Sequence, residues 1–229
     1  SEGIIHGPTD VLFQASDECY RAQVGYPIGF FYGYKTAGVF QSQEEVDNYK
    51  GAKLAGAREG DLIWVDDNKD GKIDELDRTM IGDPHPDFRV GGSISLGWKG
   101  IDLSITLSGA FGHQIMKSYR SWSDSPKENH TSDIFGRWHG YGTSDRLPRL
   151  SSNYSTNWGW VSDIYVENGD YMRIQNITLG YDFKSLIKSN AISQLRLYVS
   201  AQNLYTFTKY TGMDPEVGYT NSSSPWGSG

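Results

Sequence analysis

The chain has one cysteine, Cys19, among its 229 residues, so it cannot form an internal disulfide framework. It also has no apolar run of the roughly 20 residues that a membrane helix requires. Lysine and arginine are scattered, and the formal net charge is -7. Because phosphate binding needs a basic stripe, this pattern argues against a nucleic-acid partner. The sequence begins with neither a methionine nor a signal peptide, which predicts a piece of a longer protein.

Motifs that would identify an enzyme are missing as well. The five histidines include no pair at the spacing of zinc ligands. There is neither a Gly-x-Ser-x-Gly elbow nor a phosphate-binding loop. The 28 acidic residues single out no pair of carboxylates for glycoside hydrolysis. We therefore expect no enzymatic activity, although these carboxylates leave a carbohydrate-active enzyme of β architecture as an alternative.

Alternation of apolar and polar residues is the strongest structural pattern that is present. From 101 to 111, apolar side chains occupy nearly every second position, over the length that a tilted strand needs to cross a bilayer. Residues 88–98 alternate in the same way, and Lys99-Gly100 between the two segments suits a tight turn. These patterns predict a hairpin over 88–111.

A second pair of strands is predicted over 171–183 and 194–207, where the same alternation returns. Alternation fits a soluble sandwich, whose apolar face meets another sheet, and a membrane barrel, whose apolar face meets lipid. The long connection 112–170 beside a tight turn favours the barrel. So do aromatic residues near the strand ends, with Trp98, Tyr181 and Phe183 at one level and Phe111, Tyr205 and Phe207 at the other.

An acidic loop over 66–77 follows a short predicted strand. Oxygen-bearing side chains occupy positions 1, 3, 5, 9 and 12 of this twelve-residue loop, and Gly71 stands at position 6. This spacing is the one that wraps Ca²⁺. A strand is predicted directly before the loop, so the paired helices of an EF-hand are missing. A bound Ca²⁺ would be structural, because it would fold a loop whose charges otherwise repel one another; the alternative is a polar turn on a solvated surface. The predicted ligands are the side chains of Asp66, Asn68, Asp70, Asp74 and Asp77 and the backbone carbonyl of Lys72.

Large aromatic residues in the connection 112–170 are candidates for binding a ligand. Their flat apolar faces suit the rings of a sugar, and the alternative is that they pack the connection against itself. The candidates are Trp122, Trp138, Tyr141, Trp158 and Trp160.

A series of longer motifs extends over nearly the whole chain. In order they are GYPIG from Gly25, FYGYK from Phe31, DDNKDGKID from Asp66, IGDPHP from Ile81, KGIDLS from Lys99, RLPR from Arg146, NGDYMRIQNITLGY from Asn168 and LRLYVSAQNLYTFTKYTGMDPE from Leu195. With these motifs the sequence resembles the C-terminal part of a SusC/RagA-type TonB-dependent outer-membrane transporter of Bacteroidetes.

The resemblance implies an all-β fold, an antiparallel transmembrane β-barrel segment that supplies C-terminal strands of a 22-stranded barrel. The barrel strands would lie near 88–98, 100–111, 171–183 and 194–207, and the long extracellular loops would be 25–86 and 112–170. From the same resemblance we expect these 229 residues to contain neither the plug domain nor the last barrel strand of the family. We expect a partial barrel rather than a complete pore.

The resemblance also implies a function. Members of this family import oligosaccharides or peptides through the bacterial outer membrane, so we expect outer-membrane lipid around the barrel. A SusD-like surface lipoprotein would cap the extracellular mouth, and TonB would supply energy through the absent N-terminal part. The alternative function is that of a secreted Ca²⁺-dependent carbohydrate-binding β-sandwich module.

Overall fold

The computed structural model describes residues 4–6, 19–117, 130–151, 156–185, 187 and 195–216. Among these residues no helix is long and apolar enough to cross a membrane. Most regular elements are strands, and short 3-10 turns lie in a few of the connections between them. In chain order they are β1 (Ile4–His6), β2 (Tyr20–Gln23), β3 (Phe30–Gly33), β4 (Thr36–Val39), α1 (Gln43–Asn48), β5 (Leu62–Trp64), β6 (Thr79–Gly82), β7 (Phe88–Trp98), β8 (Ile101–Phe111), β9 (Gln114–Met116), α2 (Thr156–Gly159), β10 (Val166–Asn168), β11 (Tyr171–Asp182) and β12 (Arg196–Thr208).

The described residues divide into two compact units. His85–His113 and Asn168–Glu216 form the first, which we call the strand unit because it contains the four long strands. The other described residues form the second, which we call the loop unit. The long connection between β8 and β11 therefore shares one folded core with the residues that precede β7.

The strand unit is one antiparallel sheet with the strand order β12-β11-β8-β7. β7 pairs with β8 without interruption, from Phe88 opposite Phe111 to Trp98 opposite Ile101. The two residues between them, Lys99 and Gly100, have φ of 48° and 88°. Positive φ at both central residues gives the turn the twist that antiparallel strands prefer. The hairpin predicted from the alternation is thus present.

A bulge interrupts β11 near its middle. The pairing with β8 goes from Ile174 opposite Leu107 to Asn176 opposite Thr106, so Gln175 is an extra residue on β11. Ile174 and Ile177 are three positions apart and would face opposite sides of a regular strand. Because the bulge absorbs one residue, both face the same side.

The loop unit is built from short strands around an aromatic core. Its sheets are β1-β2-β3-β6, β4-β5 and β9-β10. Tyr34 lies next to Ser162 through an isolated parallel bridge, which joins two segments far apart in sequence. Buried side chains from all parts of the unit meet in one cluster, among them Phe31, Tyr34, Leu62, Trp64, Trp158 and Tyr165.

Helix α1 is short, and its first turn is capped by a side chain. The hydroxyl of Ser42 accepts a hydrogen bond from the backbone N–H of Glu45 at 3.1 Å, which caps the helix. Val46 on the inner face is buried with Phe40 and Ile63 in a small second cluster. A helix of six residues has little intrinsic stability, so this packing holds it in place.

Candidate functional site

The sheet of the strand unit has one apolar face. Rows of directly opposed side chains cross all four strands, because paired residues point to the same side of a sheet. One row runs Leu96, Leu103, Leu179, Val199, and the next runs Ile94, Ile105, Ile177, Ala201. Leu96 is 60% exposed and Val199 is 74% exposed. Within the described residues, nothing covers much of this face.

The opposite face of the same sheet is polar. Its rows run Ser95, Ser104, Thr178, Ser200 and Ser93, Thr106, Asn176, Gln202. Side chains on it bond to one another across the strands: Thr178 and Ser200 hydroxyl oxygens are 3.0 Å apart, and Arg196 Nε lies 2.9 Å from Asp102 Oδ1. Asp102, Arg196 and Gln202 belong to this face. The face suits contact with water.

Aromatic side chains flank the apolar face at both ends of the strands. Phe88 stacks on Phe111 with ring centroids 5.2 Å apart. At the other end, the ammonium group of Lys99 lies 4.8 Å from the centroid of the Trp98 ring. Aromatic rings at two levels, with a lysine beside one of them, are typical of the two interfaces of a membrane.

The acidic loop is held by its own side chains. The Asp66 carboxylate accepts N–H groups from Asp70 at 3.1 Å and Gly71 at 2.8 Å. Asn68 Oδ1 accepts the Asp70 N–H at 2.9 Å, and Asp70 Oδ1 accepts the Lys72 N–H at 2.9 Å. Gly71 has φ of 86°, which suits glycine at the sharp bend. The loop is thus wound around the predicted ligands.

The buried side chain of Asp77 holds this loop together through hydrogen bonds. Its side chain is 1% exposed. Oδ1 accepts the Asp67 N–H at 3.0 Å, and Oδ2 accepts the Asp74 N–H at 2.8 Å. The Asp74 carboxylate in turn caps the 3-10 turn by accepting the Leu76 N–H at 2.9 Å. Asp77 therefore joins the two ends of the loop.

The Ca²⁺ site stays a prediction. Over the described parts of the chain, no group of three histidine, cysteine or acidic side chains is arranged to hold a metal. A carboxylate oxygen that accepts one N–H keeps a second lone pair, so these hydrogen bonds do not use up the capacity of Asp66 or Asp77 to bind a cation. The residue types and their spacing thus fit Ca²⁺.

The predicted ligand-binding aromatics have different surroundings. Trp158 is buried in the loop-unit core, and its indole N–H donates to the Arg149 carbonyl at 2.9 Å. Trp160 stacks on Tyr34 with centroids 4.4 Å apart. Trp138 is partly buried against the same core, whereas Tyr141 is 82% exposed.

Three of these aromatic residues therefore pack the loop unit, and Tyr141 has the side chain most open to a ligand. Trp122 lies outside the described residues. That any of the five binds a ligand stays a prediction.

Relatives with similar sequences cover most of the chain. TonB-dependent receptor P3 of Formosa agariphila is 33% identical over 202 residues, which are 87% of this chain. TonB-dependent receptor SusC of Bacteroides thetaiotaomicron is 27% identical over 228 residues, which are 95% of this chain. The chain is homologous to SusC/RagA-type TonB-dependent receptors. It spans about a fifth of these relatives, 20% of P3 and 21% of SusC. No family model matches it.

Solved structures of the RagAB complex have the same fold over most of the chain. The RagAB peptide importer in the open-open state has a TM-score of 0.64 at 21% identity, covering 94% of this chain and 22% of that one. A second structure, of the RagAB peptide transporter, has a TM-score of 0.66 at 22% identity and the same coverage. This likeness confirms the predicted fold class of an antiparallel barrel segment from a TonB-dependent receptor.

Ion pairs between residues far apart in the sequence also organise this receptor segment. Arg173 on β11 donates to Asp214 at 2.5 Å and to Glu216 at 2.7 Å, and its side chain is 10% exposed. These two ion pairs attach the segment after β12 to the sheet. Both acids stand in the motif that begins at Leu195, but nothing local in the sequence indicates their partner.

A second buried cation, Lys117, lies in the loop unit just after β9. It is 5% exposed and forms salt bridges to Asp133 and to Glu167, the latter at 3.0 Å. Burial by itself lowers the pKa of Lys117, but the hydrogen bonds and charges of the two carboxylates outweigh it, so the pKa is raised. The ammonium group therefore stays charged at neutral pH and binds Asp133 and Glu167 to β9.

Proposed function

We propose that this chain is part of a TonB-dependent importer in the bacterial outer membrane. The observation that carries the proposal is the sheet with one exposed apolar face and one polar face. β7 and β8 have eleven residues each, about 37 Å at the usual rise. At a tilt of about 45°, this length covers the apolar band of roughly 25 Å of an outer-membrane barrel. The apolar face would meet lipid, and the polar face would line the lumen.

Its partners follow from the same family. A SusD-like surface lipoprotein would cap the extracellular side, where 25–86 and 112–170 form the loops, and TonB would act through a part of the receptor outside this chain. The cargo would be an oligosaccharide or a peptide; one relative is SusC, and the RagAB structures are described as a peptide importer. Import needs no covalent step, so the proposal includes no enzymatic activity.

The exposed apolar face also weighs against a secreted β-sandwich that binds carbohydrate. In a sandwich, the apolar face of one sheet packs against another sheet. Leu179, in the middle of this face, is 54% exposed, and Leu197 is 67% exposed. Such a surface in water would be a site of aggregation, whereas lipid covers it without cost.

Cell fractionation tests the import function. We expect the receptor that carries this chain to be in the outer-membrane fraction and to require detergent for extraction. A strain without the receptor should lose uptake of its nutrient, and a strain without TonB should lose the same uptake. Recovery of folded receptor in the soluble fraction would contradict the proposal, as would uptake that is independent of TonB.

Metal analysis tests the predicted Ca²⁺ loop. If Ca²⁺ binds there, we expect the purified receptor to contain one more equivalent of calcium than an Asp70→Ala variant, because Asp70 is a predicted ligand whose carboxylate is exposed. The matched control is Asp83→Ala, which removes an acidic residue outside the loop. This variant should keep the metal. Equal calcium content in the wild type and in Asp70→Ala would mean that the loop is a polar turn.

A further inference from the structure

The loop unit contains an open cleft that has not been given a role so far. Its volume is about 630 Å³, large enough for two or three sugar rings or a short peptide. Leu62 and Leu150 contribute apolar surface to its wall. The charged residues among its described lining are Arg58, Asp61 and Arg149.

Asp61 is the centre of a hydrogen-bond network in this wall. Its Oδ1 accepts from Arg149 Nε at 2.7 Å and from Asn157 Nδ2 at 2.8 Å, and its Oδ2 accepts the Arg58 N–H at 2.8 Å. Asn157 is 3% exposed and also accepts the Leu62 N–H at 3.0 Å. The guanidinium group of Arg149 is therefore held by Asp61, a partly buried carboxylate that Asn157 in turn holds, before any ligand arrives.

Both arginines keep donors that no described residue uses. Arg149 bonds to Asp61 only through Nε, which leaves its two terminal nitrogens for another acceptor. The side chain of Arg58 forms no ion pair or hydrogen bond with any residue in the described ranges. With two arginines and one aspartate, the described lining carries a charge of +1 in a chain whose net charge is -7. The described lining is thus positive in a chain that is negative as a whole, which favours an anionic ligand.

We propose that this cleft binds a carboxylate group of an acidic oligosaccharide, a glycan that contains uronic acid residues. This inference rests on the proposed import function and names the class of cargo. A carboxylate matches the fork of a guanidinium group, and Arg149 presents that fork in a fixed orientation. The hydroxyl group of Thr156 in the lining is a suitable partner for a sugar hydroxyl.

An extended peptide fits the cleft less well than a sugar. Peptides that bind as an added strand need free backbone donors at a sheet edge. On β5, which lines the cleft, the Leu62 N–H is already bonded to Asn157. The cleft therefore offers side-chain donors and a hydroxyl group rather than a strand edge.

Binding of a matched pair of trisaccharides to the purified full receptor in detergent tests this inference. The probes are trigalacturonic acid and its methyl ester, which has the same rings without the charge. We expect the acid to bind at least tenfold more tightly, because a hydrogen bond between charged partners is worth about that factor. Arg58→Gln should weaken binding of the acid about tenfold and leave binding of the ester unchanged. Arg149→Lys keeps the positive charge but loses the paired N–H donors of the guanidinium group, and it should weaken binding of the acid by a similar factor.

Lys50→Gln is the control variant, because Lys50 is exposed and lies outside the cleft lining. It removes the same charge and should bind the acid as the wild type does. Equal affinity for acid and ester would overturn the inference, as would an Arg58→Gln variant that binds like Lys50→Gln. Tighter binding of triglutamate than of the sugar acid would identify the cleft as a peptide site instead. These assays use purified receptor, so their failure is separate from a failure of outer-membrane location or of TonB-dependent uptake.

Discussion

Replacing Ile105 by arginine should sharply reduce the amount of folded receptor in the outer membrane. Ile105 lies in the middle of β8, opposite Ile94 on one side and Ile177 on the other. Arginine at the midplane of the lipid face of a barrel costs roughly 2–4 kcal/mol. The expected result is a loss of the compact form that migrates faster on a gel without heating, measured in the outer-membrane fraction.

The neighbouring position provides the matched control. Thr106 is the next residue on the same strand, but its side chain is on the polar face, 3.2 Å from the Ser93 hydroxyl. Thr106→Arg should leave most of the receptor folded, because the guanidinium group would enter water. Equal damage from both substitutions would contradict the assignment of the two faces. Ile105→Leu changes only the shape of an apolar side chain, so the amount of folded receptor should be nearly the same as in the wild type.

The second large effect is expected at Asp77. Asp77→Ala would leave the Asp67 and Asp74 N–H groups without their acceptor, and each unsatisfied buried donor costs about 1–3 kcal/mol. We expect the loop 66–77 to open more readily by about 2–4 kcal/mol. Hydrogen exchange followed by mass spectrometry should show at least 30-fold faster exchange in peptides that cover the loop.

Two other variants separate this hydrogen-bonding role from metal binding. Asp77→Asn keeps one acceptor but turns an amide NH₂ towards a backbone donor, so its exchange should lie between those of wild type and Asp77→Ala. Asp70→Ala removes an exposed carboxylate and should have a small effect when a chelator is present. If Asp77→Ala and Asp70→Ala exchange equally fast in chelator, Asp77 does not brace the loop through its hydrogen bonds.

The strands were predictable because their signal is local. Alternation over 88–98 and 101–111 specifies both the strand and the side that each residue faces, and Lys99-Gly100 specifies the turn. The bulge at Gln175 also has a local signal, since Ile174 and Ile177 break the period of two. A search for such breaks in the alternation would have found it.

The loop unit could not be predicted in the same way, because its contacts join distant residues. Asp61 meets Arg149 and Asn157, which follow it by 88 and 96 positions. Such contacts decide whether a tryptophan binds a ligand or fills a core. The sequence alone allows either role for Trp158, which is buried in the core of the loop unit. The spacing in the acidic loop indicated its residues but not that Asp77 would be buried beneath them.

The pairing of β9 with β10 has a consequence for the order of folding. The chain leaves the sheet at Phe111 and returns at Tyr171, so joining β8 to β11 would close a loop of roughly sixty residues and carry a substantial entropic cost. β9 and β10 bring the two ends of this connection together, with Lys117 N–H bonded to the Tyr165 carbonyl and Gly169 N–H to the His113 carbonyl. Once they pair, the search by β8 for β11 becomes a local one, which is faster. The entropic cost of closing this long loop then falls on the pairing of β9 with β10 rather than on the pairing of β8 with β11.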